Sequence, residues 1–424
     1  MEHIIIYRGM GLLQEKNTER GEHRVKNICL PGGLEDCRRT LWAAGWPAYP
    51  VGGCVRDLLM GRTPGDYDMT TAAPPERVMA LFPRSVPTGL KHGTVTVLTG
   101  DGPVEVTTFR REGGYADGRH PDAVTFDATL EEDLSRRDFT INAMALGPGG
   151  EVIDPFGGRE DLERRRICCV GEPDRRFSED ALRMLRAGRF AAQLGFEIEG
   201  DTLEAIRRCA PLAERLSAER VRSEVEKTIC SPRPGWVRFF FEAGLLKRYA
   251  GTWEGPFAPL ARLPAERLAR WAGLCAALGR EPTPFLEGLK LERRIIRACA
   301  VGWQLWKAGL PGCPAEWRRA LAEHGEEAVR AAAWMGRWAG QSPDEELAAV
   351  LAAGGCRSAK ELALSGGDLA AMGYRGRAIG AAQRYLLGRV LERPEDNDRQ
   401  ILMELLATWK ERARQAGGGG QREK

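Results

Sequence analysis

Residues 51–70 bring together a glycine pair, Gly52 and Gly53, a basic residue, Arg56, and two carboxylates, Asp66 and Asp68, separated only by Tyr67. On an extended segment alternate side chains share a face, so Asp66 and Asp68 are expected side by side, close enough to share hard divalent cations such as Mg²⁺. Glycine at 52 and 53 removes the side chains that would hold a triphosphate away from backbone N–H groups, and Arg56 offers a forked donor for phosphate oxygens. Taken alone, the same residues also suit two turn aspartates after the Pro64-Gly65 corner. The segments downstream shift that balance.

Glu105 stands between Val104 and Val106 on a predicted strand. By itself it reads as a solvent-facing side chain; beside an Asp-x-Asp pair it is the third carboxylate that a phosphoryl-transfer centre clamping two Mg²⁺ ions requires. In Arg136-Arg137-Asp138-Phe139-Thr140-Ile141-Asn142-Ala143, Arg137 suits phosphate or ribose oxygens. Asp138 and Asn142, four apart, are placed to share a helical face, and the plain alternative is a helix start with Asp138 near its N-terminus.

The segment Ser178–Phe190 reads as a single helix on which Asp180 and Arg183, three apart, set an acceptor beside a forked donor. Cytosine and adenine each show an amino donor next to a ring acceptor, whereas guanine and uracil show a carbonyl next to a ring N–H. An Asp–Arg pair therefore accepts C and A and leaves polar groups unpaired against G and U. Arg186 and Arg189 continue the three-residue spacing, but a drift of about 60° per step carries Arg189 to the side opposite Asp180. The competing description is a solvated arginine face over a Leu182/Leu185 stripe.

The elements that must position these residues change character once. From Ala48 to about Ile167, short β-branched runs such as Thr94–Leu98 and Val104–Thr108 are punctuated by Gly and Pro, the texture of a mixed α/β domain. After Phe177 the chain is Ala-, Leu-, Arg- and Glu-rich with helical spacing, strand signals disappear, and breaks fall at 231–235, 280–284, 309–312 and 354–355. A length of 424 residues with 43% hydrophobic and 29% charged residues implies several soluble domains. No apolar run is long enough to span a membrane, and residues 1–27 fit neither a signal peptide nor an anchor. The 11 cysteines lack Cys-x-x-Cys spacing, and the net charge of +3 permits a nucleic-acid partner without demanding one. His92 and His120 lack partner spacing for a transition metal. Trp303, Trp306, Trp334 and Trp338 read as helix-core anchors before RNA-stacking platforms.

The ordered set Gly52–Asp57, Asp66-Tyr67-Asp68, Arg136–Ala143, Glu179-Asp180-Ala181-Leu182-Arg183 and Glu219–Glu224 resembles the class II tRNA nucleotidyltransferases, the bacterial CCA-adding enzymes of the polymerase β-like superfamily. The resemblance covers about Leu34 to Ile229 and continues more weakly to about Trp409. It implies an α/β nucleotidyltransferase head followed by all-helical neck, body and tail domains, with expected bounds 34–167, 168–230, 231–330 and 331–412. Residues 1–33 and 413–424 are then expected as disordered extensions. The implied activity is addition of C, C and A to the 3′ end of tRNA from CTP and ATP, with Mg²⁺ bound by Asp66, Asp68 and Glu105. Gly53, Arg56, Arg137, Asp138, Asn142, Asp180, Arg183, Arg186 and Arg189 would bind the nucleotide, and Asp180 and Arg183 would act as a protein template. Implied partners are tRNA, CTP and ATP in the cytoplasm, with a homodimer compatible and no membrane. Alternatives of the same class are a CC-adding enzyme, an A-adding enzyme and a poly(A) polymerase; the Gly-, Arg- and Asp-rich connection Arg110–Phe126 resembles the flexible loop that full CCA enzymes have and favours the full activity. A small-molecule nucleotidyltransferase would leave the helical remainder unused, and a non-catalytic RNA-binding protein would not need the intact carboxylates.

Overall fold

The structure, a computed structural model, describes residues 30–113, 123–251, 253 and 255–417. The chain divides into two compact units at Arg164/Arg165. The expected connection 110–126 is described only at its ends, and most of both expected terminal extensions lies outside the described residues.

In the first unit, α1 (Gly32–Ala43) precedes β1 (Ala48–Val51), α2 (Gly53–Leu59), β2 (Tyr67–Thr71), α3 (Pro75–Leu81), β3 (Ser85–Gly89), β4 (Thr94–Thr99) and β5 (Gly102–Thr108). There follow β6 (Arg111–Gly113), β7 (Ala123–Thr125), α4 (Leu130–Ser135), β8 (Ala145–Leu146), β9 (Val152–Ile153) and α5 (Gly158–Glu163). Seven strands form one sheet in the order β3-β4-β5-β2-β1-β8-β9. Only β2 and β5 run parallel, and their register sets Asp68 opposite Glu105.

Alternation decides what each face carries. Met69, Val95, Val97, Val104 and Val106 point into a core closed by Leu34, Cys37 and Leu41 of α1 and Val78 of α3. Their alternates, Asp68, Thr96, Glu105 and Thr107, therefore occupy the other face, where Thr94 pairs with Thr107 at 3.0 Å and Thr88 with Thr96 at 2.8 Å. α4 starts in a capping box between Thr129 and Glu132. Helix α1 begins at Gly32, two residues ahead of the expected head boundary, and the Gly33 N–H donates to Asp101 at 2.7 Å.

In the second unit, α6 (Pro173–Glu179), α7 (Leu182–Phe190), α8 (Gly200–Cys209) and α9 (Ala218–Ile229) pack in pairs, α6 on α8 and α7 on α9. Two expectations need correction here. Ser178–Phe190 is not one helix, because Asp180 is extended (φ −146, ψ 103) and separates α6 from α7. Its carboxylate accepts the Leu182 N–H at 3.0 Å, which satisfies a backbone donor that the helix break leaves open. Strand pairing also does not end with the head: Glu197–Ile198 pairs in parallel with Arg166–Ile167. That pair is too short for a residue pattern to reveal it.

Some of the later helices stop at the expected breaks, while others end where none was expected, as at His324 and Trp338. Arg293–Ala308 ends at Gly309 (φ 107) and Asp344–Ala353 at Gly354 (φ 63), conformations that glycine adopts without strain. Trp303 and Trp334 are buried, in keeping with core anchoring, whereas Trp306 and Trp338 are half-buried. The last helix, Arg399–Gly417, runs beyond residue 412, where a disordered tail was expected to begin. Among the described residues no helix is long and apolar enough to cross a membrane.

Candidate active site

Asp66 lies in the bend immediately before β2, Asp68 within β2, and Glu105 beside Asp68 on β5. Burial pushes the Asp68 carboxyl up to about 6, with Arg137 opposing the rise and Asp66 and Glu105 adding to it. The three carboxylates thus feel one another, as the two-residue spacing and the strand pairing require. Among the described residues no group of three or more His, Cys, Asp or Glu side chains is gathered tightly enough to hold a metal ion as it stands. Repulsion between like charges opposes such gathering until a cation neutralises them. The donor set is all carboxylate oxygen on one sheet face, which fits a hard divalent cation and not a soft one.

The turn after β1 explains the glycine pair. Gly52 has φ 76 and ψ −134, and a Cβ there would stand 2.7 Å from Arg137 Nη1 and 3.8 Å from Asp68 Oδ2. Any side chain at 52 would be strained and would displace Arg137. Arg137 is mostly buried, its Nη2 lies 3.7 Å from Asp133, and its Nε is buried without an acceptor among the described residues. Burial pulls the guanidinium below its usual range, while Asp133, Asp68 and Asp138 draw it back. A buried donor with no partner beside a carboxylate centre and a side-chain-free turn is the arrangement expected around an anionic ligand.

Arg56 is placed differently from a free phosphate clamp. Its Nε donates to Asp57 at 2.9 Å and its Nη1 to Asn142 Oδ1 at 2.7 Å, and Asn142 Nδ2 in turn donates to Asp138 Oδ1 at 3.1 Å. The helical face expected for Asp138 and Asn142 does not form. Phe139 is extended (φ −129, ψ 149) and Thr140–Asn142 makes a short 3₁₀ turn, yet the two side chains meet. The turn is braced from α5: the Thr140 hydroxyl donates to Asp161 at 2.7 Å, and a Cβ on Gly158 would come within 2.1 Å of the Thr140 carbonyl oxygen. Asp154 accepts the Gly158 and Arg159 N–H groups at 2.8 Å each. Sequence reasoning passed over Asp154 and Asp161: nothing local marks Asp161 as a brace for Thr140, 21 residues away, and Asp154 acts one step further back by holding the start of α5.

Asp133 was also missed. It is fully buried and accepts from Arg136 Nε and Nη2 at 2.9 and 2.8 Å and from the Thr70 hydroxyl at 3.1 Å. Burial raises its carboxyl, but Arg136 and Arg137 and these hydrogen bonds outweigh burial and hold it below the usual range. Its spacing of three and four before Arg136 and Arg137 was the available signal.

In the second unit, Asp180 accepts from Leu182 N–H and from Arg220 Nη2 at 2.8 Å. Arg183 pairs with Glu179 at 3.1 Å, and Glu179 also accepts from Arg175 and Arg176. The two template candidates therefore straddle a helix junction instead of sharing a helical face, each held by its own partner. Arg186 lies 5.3 Å from the Phe190 ring centre, and Arg189 stacks on that ring at 4.2 Å and pairs with buried Glu224 at 2.6 Å. Arg189 is thus turned toward α9, the helix that also supplies Arg220 to Asp180; the expected drift from Asp180 presupposed a continuous helix and does not apply.

A mixed sheet presenting Asp-x-Asp and a third strand carboxylate, entered by a strand–glycine turn–helix, is that of a nucleotidyltransferase head. Residues 48–168 match the family described as the Poly A polymerase head domain, and residues 195–249 the one described as the probable RNA and SrmB-binding site of polymerase A. The chain is 44% identical over 364 residues to a CCA-adding enzyme of Geobacillus kaustophilus, covering 78% of this chain and 85% of that protein. It is 39% identical over 398 residues to one of Limosilactobacillus fermentum, covering 89% and 98%. The crystal structure of the Bacillus stearothermophilus CCA-adding enzyme in complex with CTP superposes with a TM-score of 0.77 at 36% identity, covering 90% of this chain and 98% of that one. The chain belongs to the CCA-adding enzyme family.

Proposed function

We propose that this protein adds C, C and A in turn to the 3′ end of tRNA, using CTP and ATP and releasing pyrophosphate. The observation that carries the reading is the register of Asp68 with Glu105, with Asp66 two residues away and Arg137 Nη1 beside Gly52. The terminal 3′-hydroxyl oxygen attacks the α-phosphorus, the bond to the bridging oxygen of the β-phosphate breaks, and pyrophosphate leaves. Glu105, on the exposed edge of the centre, accepts the hydroxyl proton at its carboxylate. Arg137 holds phosphate oxygens, while the backbone of Gly52 and Gly53 lets them approach. Arg56 acts with Asn142 and Asp138 to keep the 3₁₀ turn, and with it Arg137, in place.

A divalent cation held by Asp66, Asp68 and Glu105, which we assign as Mg²⁺, would neutralise triphosphate charge and acidify the attacking hydroxyl. Asp180 and Arg183 read the base. Asp180 accepts from Leu182 and Arg220 and Arg183 pairs with Glu179, so the pair sets a carboxylate acceptor and a guanidinium donor at one helix junction, the two functions that a C or A edge requires. Arg186 is assigned to nucleotide binding with them, and Arg189 to bracing α7 against α9. We assign residues 168–230 as neck, 231–330 as body and 331–412 as tail, the last two holding tRNA. We assign a cytoplasmic setting, in which free thiols such as those of Cys37 and Cys54 stay reduced.

Incubation with tRNA lacking its CCA end, Mg²⁺ and each nucleotide separately tests the reading. CTP alone should extend the RNA by two residues, CTP with ATP by three, and UTP or GTP by none. Unlimited A addition would identify a poly(A) polymerase instead.

A further inference from the structure

We propose that Asp133 is the positioning residue that sets Arg137 over the nucleotide site and ties it to the stem of the 110–126 connection. The inference rests on the nucleotidyltransferase reading. Asp133 is fully buried, and a buried carboxylate persists only where its partners replace the water it has lost. Its partners here come from separate parts of the site. Oδ2 accepts from the hydroxyl of Thr70, two residues beyond Asp68 on β2, and lies 3.7 Å from Arg137 Nη2. Oδ1 accepts from Arg136 and, at 3.4 Å, from the N–H of Arg110, which follows the strand carrying Glu105 and opens the connection.

The neighbouring residue strengthens the tie. Glu132 pairs with Arg111 of β6 at 2.5 Å, so α4 grips the stem at two successive residues. β6 and β7 pair antiparallel through Arg111–Thr125, which carries that grip to both ends of the connection. On its other side Arg137 meets the side-chain-free turn at Gly52, and its Nε has no acceptor among the described residues. The guanidinium is thus oriented by Asp133 with its Nη1 against the side-chain-free turn at Gly52. A shift of the stem at Arg110 moves the carboxylate that aims Arg137, and so changes the hold on the incoming nucleotide.

The test measures KM and kcat for CTP and ATP, with thermal melts, in Asp133→Asn, Thr70→Val, Arg111→Gln, Arg137→Gln and the double variant of Asp133 and Arg137. Asp133→Asn keeps the shape and removes the charge; both nucleotide KM values should rise about tenfold to a hundredfold, with a smaller change in kcat at saturation. In the Arg137→Gln background the same change should add nothing, because the two residues act as one unit. Thr70→Val loosens Asp133 without unbalancing charge, and Arg111→Gln releases the stem; each should raise the KM values severalfold. An unchanged KM in a folded Asp133→Asn, or additive effects with Arg137→Gln, would overturn the proposal. If Asp133→Asn does not fold, an unchanged KM in Thr70→Val overturns it equally, and an unchanged KM in Arg111→Gln removes the link to the stem. Wild-type choice of CTP and ATP over UTP and GTP is read first. Its absence would sink the functional reading and this inference together, whereas normal wild-type choice with unresponsive variants sinks the inference alone.

Discussion

Asp68 is held where burial and two neighbouring carboxylates all disfavour its charge, so its folded-state carboxyl titrates near 6 instead of 3.8. A carboxyl raised on folding contributes stability below the unfolded value and loses it as pH rises through the folded one. In metal-free buffer Asp68→Asn should therefore melt higher than the wild type above pH 6, by at most about 3 kcal/mol, with the difference fading toward pH 4. The same variant should lose nucleotide incorporation while keeping its affinity for tRNA. Melts at pH 4, 5, 6 and 8 with EDTA, together with incorporation and binding assays, check both halves; substantial residual incorporation would remove Asp68 from the metal set. The template residues make a separate expectation. Asp180→Ala and Arg183→Ala should each lower discrimination against U and G about tenfold to a hundredfold, the value of one charge-assisted hydrogen bond. Asp180→Ala also removes the Leu182 N–H acceptor and the Arg220 partner, so it should cost about 1 kcal/mol of stability as well. Incorporation of all four nucleotides, assayed where both variants remain folded, separates the two effects. Unaltered selectivity with lowered stability would leave these residues as helix caps.

At the scale of elements, β6 and β7 make the 110–126 connection a stem whose base is gripped by α4. Deleting residues 116–120 while keeping both strands should leave CC addition near its normal rate and stop the product one residue short, before A. Gel resolution of the products reads this directly, and equal loss of all three additions would mean that the connection only supports the head fold. The strand carrying Glu105 and the core alternation of Val95, Val97, Val104 and Val106 were legible because period-two patterning reports burial on one face. Two local readings failed for one reason. Spacings of three and four imply a shared helical face only if the backbone is helical, and at Asp180 and Phe139 it is extended. Side chains capping backbone groups, and contacts such as Thr140 with Asp161, decided those conformations, and neither is encoded in periodicity.

For the whole molecule, a net charge of +3 on 424 residues makes RNA binding a matter of local arrangement. Several arginines outside the head sheet are already committed: Arg164 to Glu160, Arg207 to Glu204, Arg208 to Asp174, and Arg318 to the Leu391 and Glu392 carbonyls. Few phosphates should then be neutralised. Raising salt from 50 to 200 mM should weaken tRNA binding by roughly tens of fold, as about three phosphate contacts imply, while the choice of C and A over U and G stays unchanged. A loss of several thousandfold would call for a more extensive basic track. The order and types of the chemical residues, the mixed head followed by helices, and the family were determined by the sequence itself, because carboxylates, glycines and arginines at short spacing are constrained by chemistry within a few residues. The partners of those residues were decided only by tertiary structure: Glu105 beside Asp68 across parallel strands, Arg56 against Asn142, Arg220 on Asp180, Glu224 on Arg189 and Asp133 beneath Arg137. Most of these pairings join positions tens of residues apart, and their energies arise from burial and charge compensation that exist only once the chain has closed on itself.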